Sequence, residues 1–377
     1  MHQVIFYPVG NGDTSQIILE NGKRILFDFR HKKKTEEGEG PEINLKDRLK
    51  AELKAAGKTS FDVVAFTHCD KDHIENSVEF FELEHAEKYK GNGRIKIDTL
   101  WVPAAVILET APNCDQSEEY VIWRQEARHR LKQGKGIRVF SKPKMLKDWL
   151  EKNGLTVESR KHLITDAGDL APEFTLEADG VEFFCHSPFI KHVDDHDEFR
   201  NEASLIFNVR FRSGGSEFDY LAVGDSSWSI LEDIVRTTKF HGKDDRLAWD
   251  LYNIPHHCSY LALSDDKGEQ ETIPKPLVEE LLRKGKEGAY LVSSSWPILD
   301  TKEGREQTQP PHIQAQKCYE TYLDQVGGAR FLVTMEEPNA NKPEPIIFKV
   351  ESSGISLDKK VLSAAAIITS TPAPRAG

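Results

Sequence analysis

The sequence predicts a mixed α/β protein, and two patterns lead to that prediction. Alternating or continuous apolar runs, typical of strands, fill residues 3–30 and return after residue 173. Between them lie segments whose apolar residues recur every three or four positions, as on one face of an amphipathic helix. A chain of 377 residues can hold one large domain or two. We expect a single domain over residues 1–360 and a flexible tail over residues 361–377, which lack apolar periodicity.

The composition is typical of a soluble globular protein. Lys and Arg number 50 and Asp and Glu number 62, so the formal net charge is −12, and hydrophobic residues make up 38 % of the chain. This balance excludes a histone-like basic protein, because the overall field repels phosphate. No apolar run approaches the roughly 20 residues that a membrane helix needs. The first residues also lack the pattern of a signal peptide, so we expect no membrane association.

The number and spacing of the cysteines indicate the cellular compartment. They are odd in number and widely spaced, and no C-x-x-C pair occurs among them. This pattern argues against structural disulfides, so we expect a reducing, cytoplasmic location. The cysteines are Cys69, Cys114, Cys185, Cys258 and Cys318.

The N-terminal half is predicted to open with strands. Asn21-Gly22 stands between two alternating runs and predicts a β-hairpin. The polar residues 31–43 predict an exposed loop, and residues 115–165 are predicted to form a mainly helical insertion that stops at Gly154. Strands are predicted at residues 4–7, 15–20, 23–29, 61–66 and 99–102, and helices at residues 44–56 and 74–83.

Strand patterns dominate again in the C-terminal half, where they alternate with shorter helical segments. Strands are predicted at residues 174–178, 181–185, 203–211, 219–223, 251–254, 290–294, 346–350 and 355–357. Helices are predicted at residues 229–237, 275–284 and 312–325.

The densest group of chemically active side chains is the segment THCDKDH, which begins at residue 67 between a predicted strand and a predicted helix. On an extended segment His68, Asp70 and Asp72 can point the same way, and His73 joins them where the helix begins. Imidazole and carboxylate groups are the ligands that Zn²⁺, Mn²⁺ and Fe take. A carboxylate here could instead only cap the helix. Capping explains one acidic residue and leaves both histidines unexplained, so we favour a metal site.

Two later predicted strands end in the same kind of residue. One strand runs into Gly224-Asp225, and another runs into His256-His257 and Ser259. The aspartate alone could be a turn former, and the histidines alone could be surface residues. Three such strand ends in one chain are difficult to explain as unrelated turn or surface residues.

The order H-x-D-x-D-H, G-D and H-H-x-S resembles the metallo-β-lactamase fold, and most closely the soluble domain of the DNA-uptake protein ComEC. That branch also has a G-x-G-D segment, an L-x-D strand and an N-x-x-S signature, matched here at residues 10–13, 26–28 and 201–204. Ser293–Ser295 and Pro311-His312 resemble its late serine strand and the start of its last helix. The likeness spans residues 4–350. This chain departs from the branch at Cys258, where glycine is usual, and at Phe29-Arg30.

The resemblance implies an αββα sandwich, with two mixed sheets face to face, helices outside and the site at one sheet edge. It also implies two divalent ions, with Zn²⁺ favoured over Mn²⁺. Carried over by position, the metal ligands are His68, Asp70, Asp72, His73, His186, Asp225 and His256. The catalytic residues are Asp72, Asp225 and His257, and the substrate-facing or supporting residues are Asp13, Asp28, Asn201, Ser259 and His312.

One of these ligands is an open choice. His186 follows a predicted strand, where the fold usually supplies a histidine, but it could equally be a hydrogen-bonded or surface residue. His192 and His196 lie in a charged stretch and are expected to be solvated.

We therefore expect a metal-dependent hydrolase that acts through a metal-bridging water, on phosphodiesters in a nuclease-like reaction. The alternatives are hydrolysis of a thioester, lactone or amide, or a regulatory binding module on the same fold. A nucleic acid or nucleotide is the expected partner. The net charge of −12 opposes capture of a long polyanion. The basic residues 31–34 and 124–135 could offset this opposition if they flank the site.

Overall fold

The computed structural model describes residues 1–108, 117–189 and 203–358. Several sequence predictions fall outside these ranges: the flexible tail, Cys114, Asn201, His192 and His196. Among the described residues, no helix is long and apolar enough to cross a membrane.

The first sheet has nine strands in the order β15-β14-β1-β2-β3-β4-β5-β6-β7. Pairing is antiparallel from β15 to β3 and parallel from β3 to β7, so the sheet is mixed. Its strands are β1 (His2–Phe6), β2 (Ser15–Ile18), β3 (Arg24–Phe27), β4 (Ser60–Ala65), β5 (Lys96–Pro103), β6 (Ile137–Phe140), β7 (Ile164–Thr165), β14 (Ile346–Glu351) and β15 (Gly354–Leu357).

The second sheet has six strands in the order β13-β12-β11-β10-β9-β8. Strands β10 to β13 are parallel neighbours, whereas β8 and β9 pair antiparallel. Its strands are β8 (Val181–Ser187), β9 (Ile206–Ser213), β10 (Ser216–Val223), β11 (Trp249–Ile254), β12 (Gly285–Ser293) and β13 (Arg330–Val333).

Helices lie outside both sheets, so the layers follow the order αββα. Outside the nine-stranded sheet lie α1 (Leu45–Ala55), α2 (Lys71–Ile74), α3 (Ser77–Phe80), α4 (Ala104–Leu108), α5 (Glu118–Gln133), α6 (Lys144–Lys152) and α7 (Val157–Arg160). Outside the six-stranded sheet lie α8 (Trp228–Phe240), α9 (Pro276–Leu282), α10 (Lys302–Glu306) and α11 (Ile313–Gln325). Short 3₁₀ turns occur at Lys33–Glu37, Glu87–Tyr89, Lys161–Leu163, Asp244–Leu247, Pro255–Cys258 and Tyr260–Ala262.

Three apolar cores hold these layers together, one beneath each helical layer and one between the sheets. The inter-sheet core is rich in aromatic rings. Phe207 of β9 contacts Trp101 and Phe140 of the opposite sheet, with ring centroids 5.5 and 5.1 Å apart. This arrangement confirms the predicted mixed α/β class with two mixed sheets and helices outside.

The segment 115–165 differs from its predicted, mainly helical form. The four-residue strand β6 lies between α5 and α6 and pairs in parallel with β5, and β7 adds a further strand. The residues of β6 are all buried. A run of four residues is too short to show a strand period, so the surrounding helical patterns hid it.

Two more differences lie after residue 173. Residues 174–178 form turns rather than the predicted strand, and β13 was not predicted.

Earlier in the chain, the helix predicted at residues 74–83 is two short helices, α2 and α3, separated by Asn76 with a φ of 60°. A positive φ interrupts a right-handed helix.

The inter-sheet core predicts a large effect of Phe207→Ala. This change leaves a cavity between the sheets, and we expect it to lower the free energy of unfolding by about 3–5 kcal/mol in denaturant titrations. The matched control is Phe240→Ala, because Phe240 is 83 % exposed, and we expect its change to stay within about 0.5 kcal/mol. Equal effects of the two substitutions would contradict this account of the core.

Candidate metal centre

Polar loops from both sheets meet at one end of the sandwich. In the nine-stranded sheet the parallel strands β3 and β4 run into Asp28 and the THCDKDH segment. In the six-stranded sheet the parallel strands β10, β11 and β12 run into Asp225, His257 and Ser294. Ligand sites in α/β proteins form beyond the carboxyl ends of such strands. The fold therefore brings three of the sequence motifs together.

Four buried side chains form the centre of this site. Asp13, His73, Asp225 and His257 each place one potential ligand atom within 4.8 Å of the others. Asp225 lies between the two imidazoles: its Oδ1 is 3.4 Å from Nε2 of His73, and its Oδ2 is 3.5 Å from Nε2 of His257. This cluster offers two carboxylates and two imidazoles, a donor set that suits zinc or manganese.

The side chain of Asp28 fixes the orientation of His73. Its Oδ2 accepts a hydrogen bond of 2.9 Å from Nδ1 of His73. The same carboxylate accepts hydrogen bonds from the backbone N–H and the hydroxyl of Thr67, at 2.7 and 2.6 Å. With these three bonds Asp28 acts as a support that turns Nε2 of His73 toward the cluster, as second-shell carboxylates do for metal-bound histidines.

A left-handed turn positions His257. His256, His257 and Cys258 have φ angles of 51°, 53° and 65°, a conformation that non-glycine residues rarely adopt. His257 is buried, and its Nδ1 donates a 2.9 Å hydrogen bond to the carbonyl of Ser294, which leaves Nε2 facing Asp225. The turn and the Ser294 carbonyl therefore fix the orientation of His257.

This turn corrects the sequence-based choice between the two adjacent histidines. His256 was assigned as the ligand and His257 as a catalytic neighbour, but the structure brings His257 into the cluster and leaves His256 partly exposed outside it. With an extended or right-handed helical backbone at His256 and His257, their two side chains would point in other directions. Positive φ angles at the two histidines leave no sequence signal.

Asp13 also enters the cluster, although it was assigned only a supporting role. Its loop follows β1 and is anchored by Asn11, whose side-chain amide donates 2.7 Å to the carbonyl of Pro310. Burial raises the pKa of Asp13 to about 6, against the opposing effect of the nearby histidines His257 and His73. In the sequence, the G-N-G-D motif at residues 10–13 was the feature that singled out Asp13.

The remaining residues of the THCDKDH segment border the cluster. His68 is buried, and its ring lies 3.9 Å from that of His73, centroid to centroid. Asp70 Oδ2 lies 3.9 Å from His68 Nε2, and Asp72 Oδ2 lies 3.2 Å from His257 Nε2. The structure therefore gathers all four sequence-assigned residues of this segment at one place.

Unsatisfied atoms provide a test of whether a cation fits. Nε2 of His68, Nε2 of His73 and Oδ1 of Asp225 are buried, and none of them makes a hydrogen bond within the described part of the chain, although the last two face each other at 3.4 Å. Such atoms cost free energy in a folded protein unless something binds them. All three are metal-ligand atoms, so the donor set fits a bound cation.

The charges in the cluster shift one another's pKa. Burial by itself lowers the pKa of His73 and of His257, but the surrounding carboxylates, Asp225 foremost, together outweigh burial and raise both, that of His257 to about 10. The histidines in turn hold the pKa of Asp225 well below its usual range, against the effect of burial. In the metal-free protein the cluster is therefore a network of imidazolium and carboxylate groups.

His186 lies away from this cluster. Its Nε2 donates 2.9 Å to the carbonyl of Arg246, and the hydroxyl of Thr238 lies 3.2 Å from its Nδ1. Side chains alternate along β8, so Cys185 enters the inter-sheet core and His186 faces α8. The assignment of His186 as a ligand is therefore corrected: both ring nitrogens already have protein partners.

Ser259 and His312 support the turn at His257. The Ser259 hydroxyl accepts from the backbone N–H of Leu261 at 3.3 Å. The backbone N–H of His312 donates 3.0 Å to the carbonyl of Cys258, and its Nδ1 accepts from the N–H of Tyr260 at 3.4 Å. These contacts tie the left-handed turn to the start of α11.

Comparisons with known proteins do not assign a family. No family model and no curated protein matches the sequence. Among solved structures, a class B3 di-zinc metallo-β-lactamase from an Alaskan soil metagenome is 12 % identical, with 85 % of this chain and 90 % of that chain covered and a TM-score of 0.32. A metallo-β-lactamase from Elizabethkingia meningoseptica is 14 % identical, with coverages of 85 % and 86 % and a TM-score of 0.32. A diphosphatase of the PhnP family is 11 % identical, with coverages of 83 % and 95 % and a TM-score of 0.29.

The raised pKa of His257 predicts how the stability of the metal-free protein depends on pH. An imidazole whose pKa rises from 6.5 to about 10 on folding stabilises the fold fully below pH 6.5 and loses that effect as the pH rises toward 10. In chelator, the free energy of unfolding should therefore fall between pH 7 and 10, and fall less in His257→Gln. The exposed His241→Gln variant should keep the wild-type slope. Identical slopes in all three proteins would contradict the proposed charge network.

Proposed function

We propose that this protein is a hydrolase that uses divalent metal ions and acts on phosphodiesters. The observation that carries this proposal is the Asp225 carboxylate, which lies buried between His73 and His257 with an oxygen that has no hydrogen-bond partner among the described residues. A buried, convergent set of ligand atoms at a sheet edge is a construction that metal-dependent enzymes use.

The residues divide naturally between two ions. Asp13, His73, Asp225 and His257 would hold one, because their ligand atoms lie within 4.8 Å of one another. We propose that His68 and Asp70 would hold a second ion, to which Asp225 would also contribute. Zn²⁺ is our first choice and Mn²⁺ the alternative. When bound, such ions supply Lewis acidity, which acidifies water and stabilises negative charge on an attacked phosphoryl group.

The protein's own groups orient the site and move protons. Asp28 and the Ser294 carbonyl fix the two histidines, so little reorganisation is needed at the moment of reaction. Asp72 differs from the cluster because its side chain is 35 % exposed, and its Oδ2 lies 3.2 Å from His257 Nε2. Asp72 Oδ2 is therefore placed to accept a proton from a water that enters the site.

A protein nucleophile is not needed in this scheme. Cys258 lies next to His257 but is fully buried, and burial raises the pKa of its thiol well above the ordinary value. A thiol in that state is a poor nucleophile. Activated water is the remaining nucleophile that the site supports.

The basic segment at residues 31–34 does not supply free positive charge. Lys32, Lys33 and Lys34 pair with Glu75, Glu79 and Glu42 at 2.7, 2.6 and 2.8 Å. These ion pairs neutralise the segment that could have attracted a long polyanion.

Two basic residues of α5 also bond to groups within the protein. Arg130 is buried and donates to Glu126 at 2.7 Å, and Arg128 donates to the carbonyl of Ile107 at 2.8 Å. Together with the net charge of −12, these contacts favour a small phosphodiester over a long nucleic acid.

We also propose a cytoplasmic location. Cys185, Cys258 and Cys318 are buried and form no disulfide within the described ranges. A reducing compartment is the usual setting for such thiols.

The direct test is hydrolysis of bis(p-nitrophenyl) phosphate by protein reconstituted with Zn²⁺ or Mn²⁺. We expect turnover that chelator abolishes. Asp225→Asn keeps the side-chain volume but removes the charge between the two histidines, so it should lower kcat at least about 100-fold with unchanged circular dichroism. Asp148→Asn, on the exposed face of α6, is the matched control and should retain wild-type turnover.

Two outcomes would contradict the proposal. One is equal activity in wild type and Asp225→Asn. The other is brisk cleavage of thioester or lactone reporters by the metal-loaded protein while phosphodiesters stay intact.

A further inference from the structure

We infer that the indole of Trp296 is a stacking surface for a nucleobase, so that the substrate is a short nucleotidyl phosphodiester. This inference rests on the proposed function, which it deepens. Trp296 lies in the loop after β12 and is partly exposed, unlike the buried side chains of the metal cluster.

Hydrogen bonds place Trp296 between two loops of the cluster. Its backbone N–H donates 2.9 Å to the side-chain oxygen of Asn11, two residues before Asp13. Two residues before Trp296, the carbonyl of Ser294 accepts the hydrogen bond from His257. Trp296 is therefore linked on both sides to residues that support the cluster.

The ring is also held in a fixed position. Gly10 has a φ of 80°, and a Cβ atom built on it would lie 3.1 Å from the indole carbons of Trp296, so the ring packs directly on the glycine backbone. Beyond the ring, the N–H of Ile298 donates 3.0 Å to the carboxylate of Glu336. A surface that is rigid before binding loses little entropy when a ligand stacks on it.

The chemistry of this surface favours stacking over charge. Arg30, which approaches the same glycine, donates to the carbonyls of Val9 and Asn11 and pairs with Glu75 at 3.4 Å. Its positive charge is therefore engaged by groups of the protein itself. An aromatic ring stacks on any nucleobase and needs no attraction for a long phosphate chain. Stacking therefore provides a way for an acidic protein to recognise a nucleotide.

The experiment compares two phosphodiesters with the same leaving group: thymidine 5′-(p-nitrophenyl) phosphate, which carries a base, and methyl p-nitrophenyl phosphate, which does not. In the metal-loaded enzyme, Trp296→Ala should raise KM about tenfold for the nucleotide and leave the methyl ester unchanged, while Trp296→Phe rescues the nucleotide. Trp149→Ala, on α6, is the matched control and should change neither KM. Because stacking is uncharged, the ratio of the KM values for the two esters should stay the same at high salt.

Binding provides a second readout that does not depend on turnover. Calorimetry on the metal-loaded protein should detect AMP binding that is tighter than ribose 5-phosphate binding, and Trp296→Ala should remove this difference. If wild type binds AMP in this way but hydrolyses neither ester, the proposed function fails and the stacking surface stands. If Trp296→Ala raises KM equally for both esters, or AMP and ribose 5-phosphate bind alike, the stacking surface is refuted.

Discussion

The buried carboxylate of Asp225 between the imidazoles of His73 and His257 is the interaction around which the rest of the site is arranged. Its oxygens lie 3.4 and 3.5 Å from the two ring nitrogens, in a region closed to solvent. Burying these charges is expensive unless they face opposite charges or a cation. The surrounding structure therefore has to hold all three groups in place, and each of them follows a different strand: β4 for His73, β10 for Asp225 and β11 for His257.

The sandwich holds these three groups in place because loops from both sheets meet at one edge. The aromatic core around Phe207 fixes the distance between the sheets, so a loop from one sheet can contact loops from the other. Asp28 and the Ser294 carbonyl then orient one imidazole each. The same loops carry Trp296 and the partly exposed Asp72.

The sequence carries most of the information about strands and about the residue types of the site. The alternating and helical patterns predicted a mixed α/β protein, and the resemblance implied the layered fold and the meeting of His73 with Asp225. Backbone geometry at single turns was not predictable. His257 enters the site in place of His256 because consecutive residues adopt positive φ, a choice made by tertiary contacts. His186 was assigned from its position in the chain, which does not show which face of β8 it occupies.

The measurement that tests the central claim most directly is anomalous X-ray scattering from crystals of the zinc-reconstituted protein, recorded on both sides of the zinc absorption edge. The account predicts a peak among the ligand atoms of Asp13, His73, Asp225 and His257, which lie within 4.8 Å of one another. Zinc peaks found only at surface positions, with none at this cluster, would contradict it.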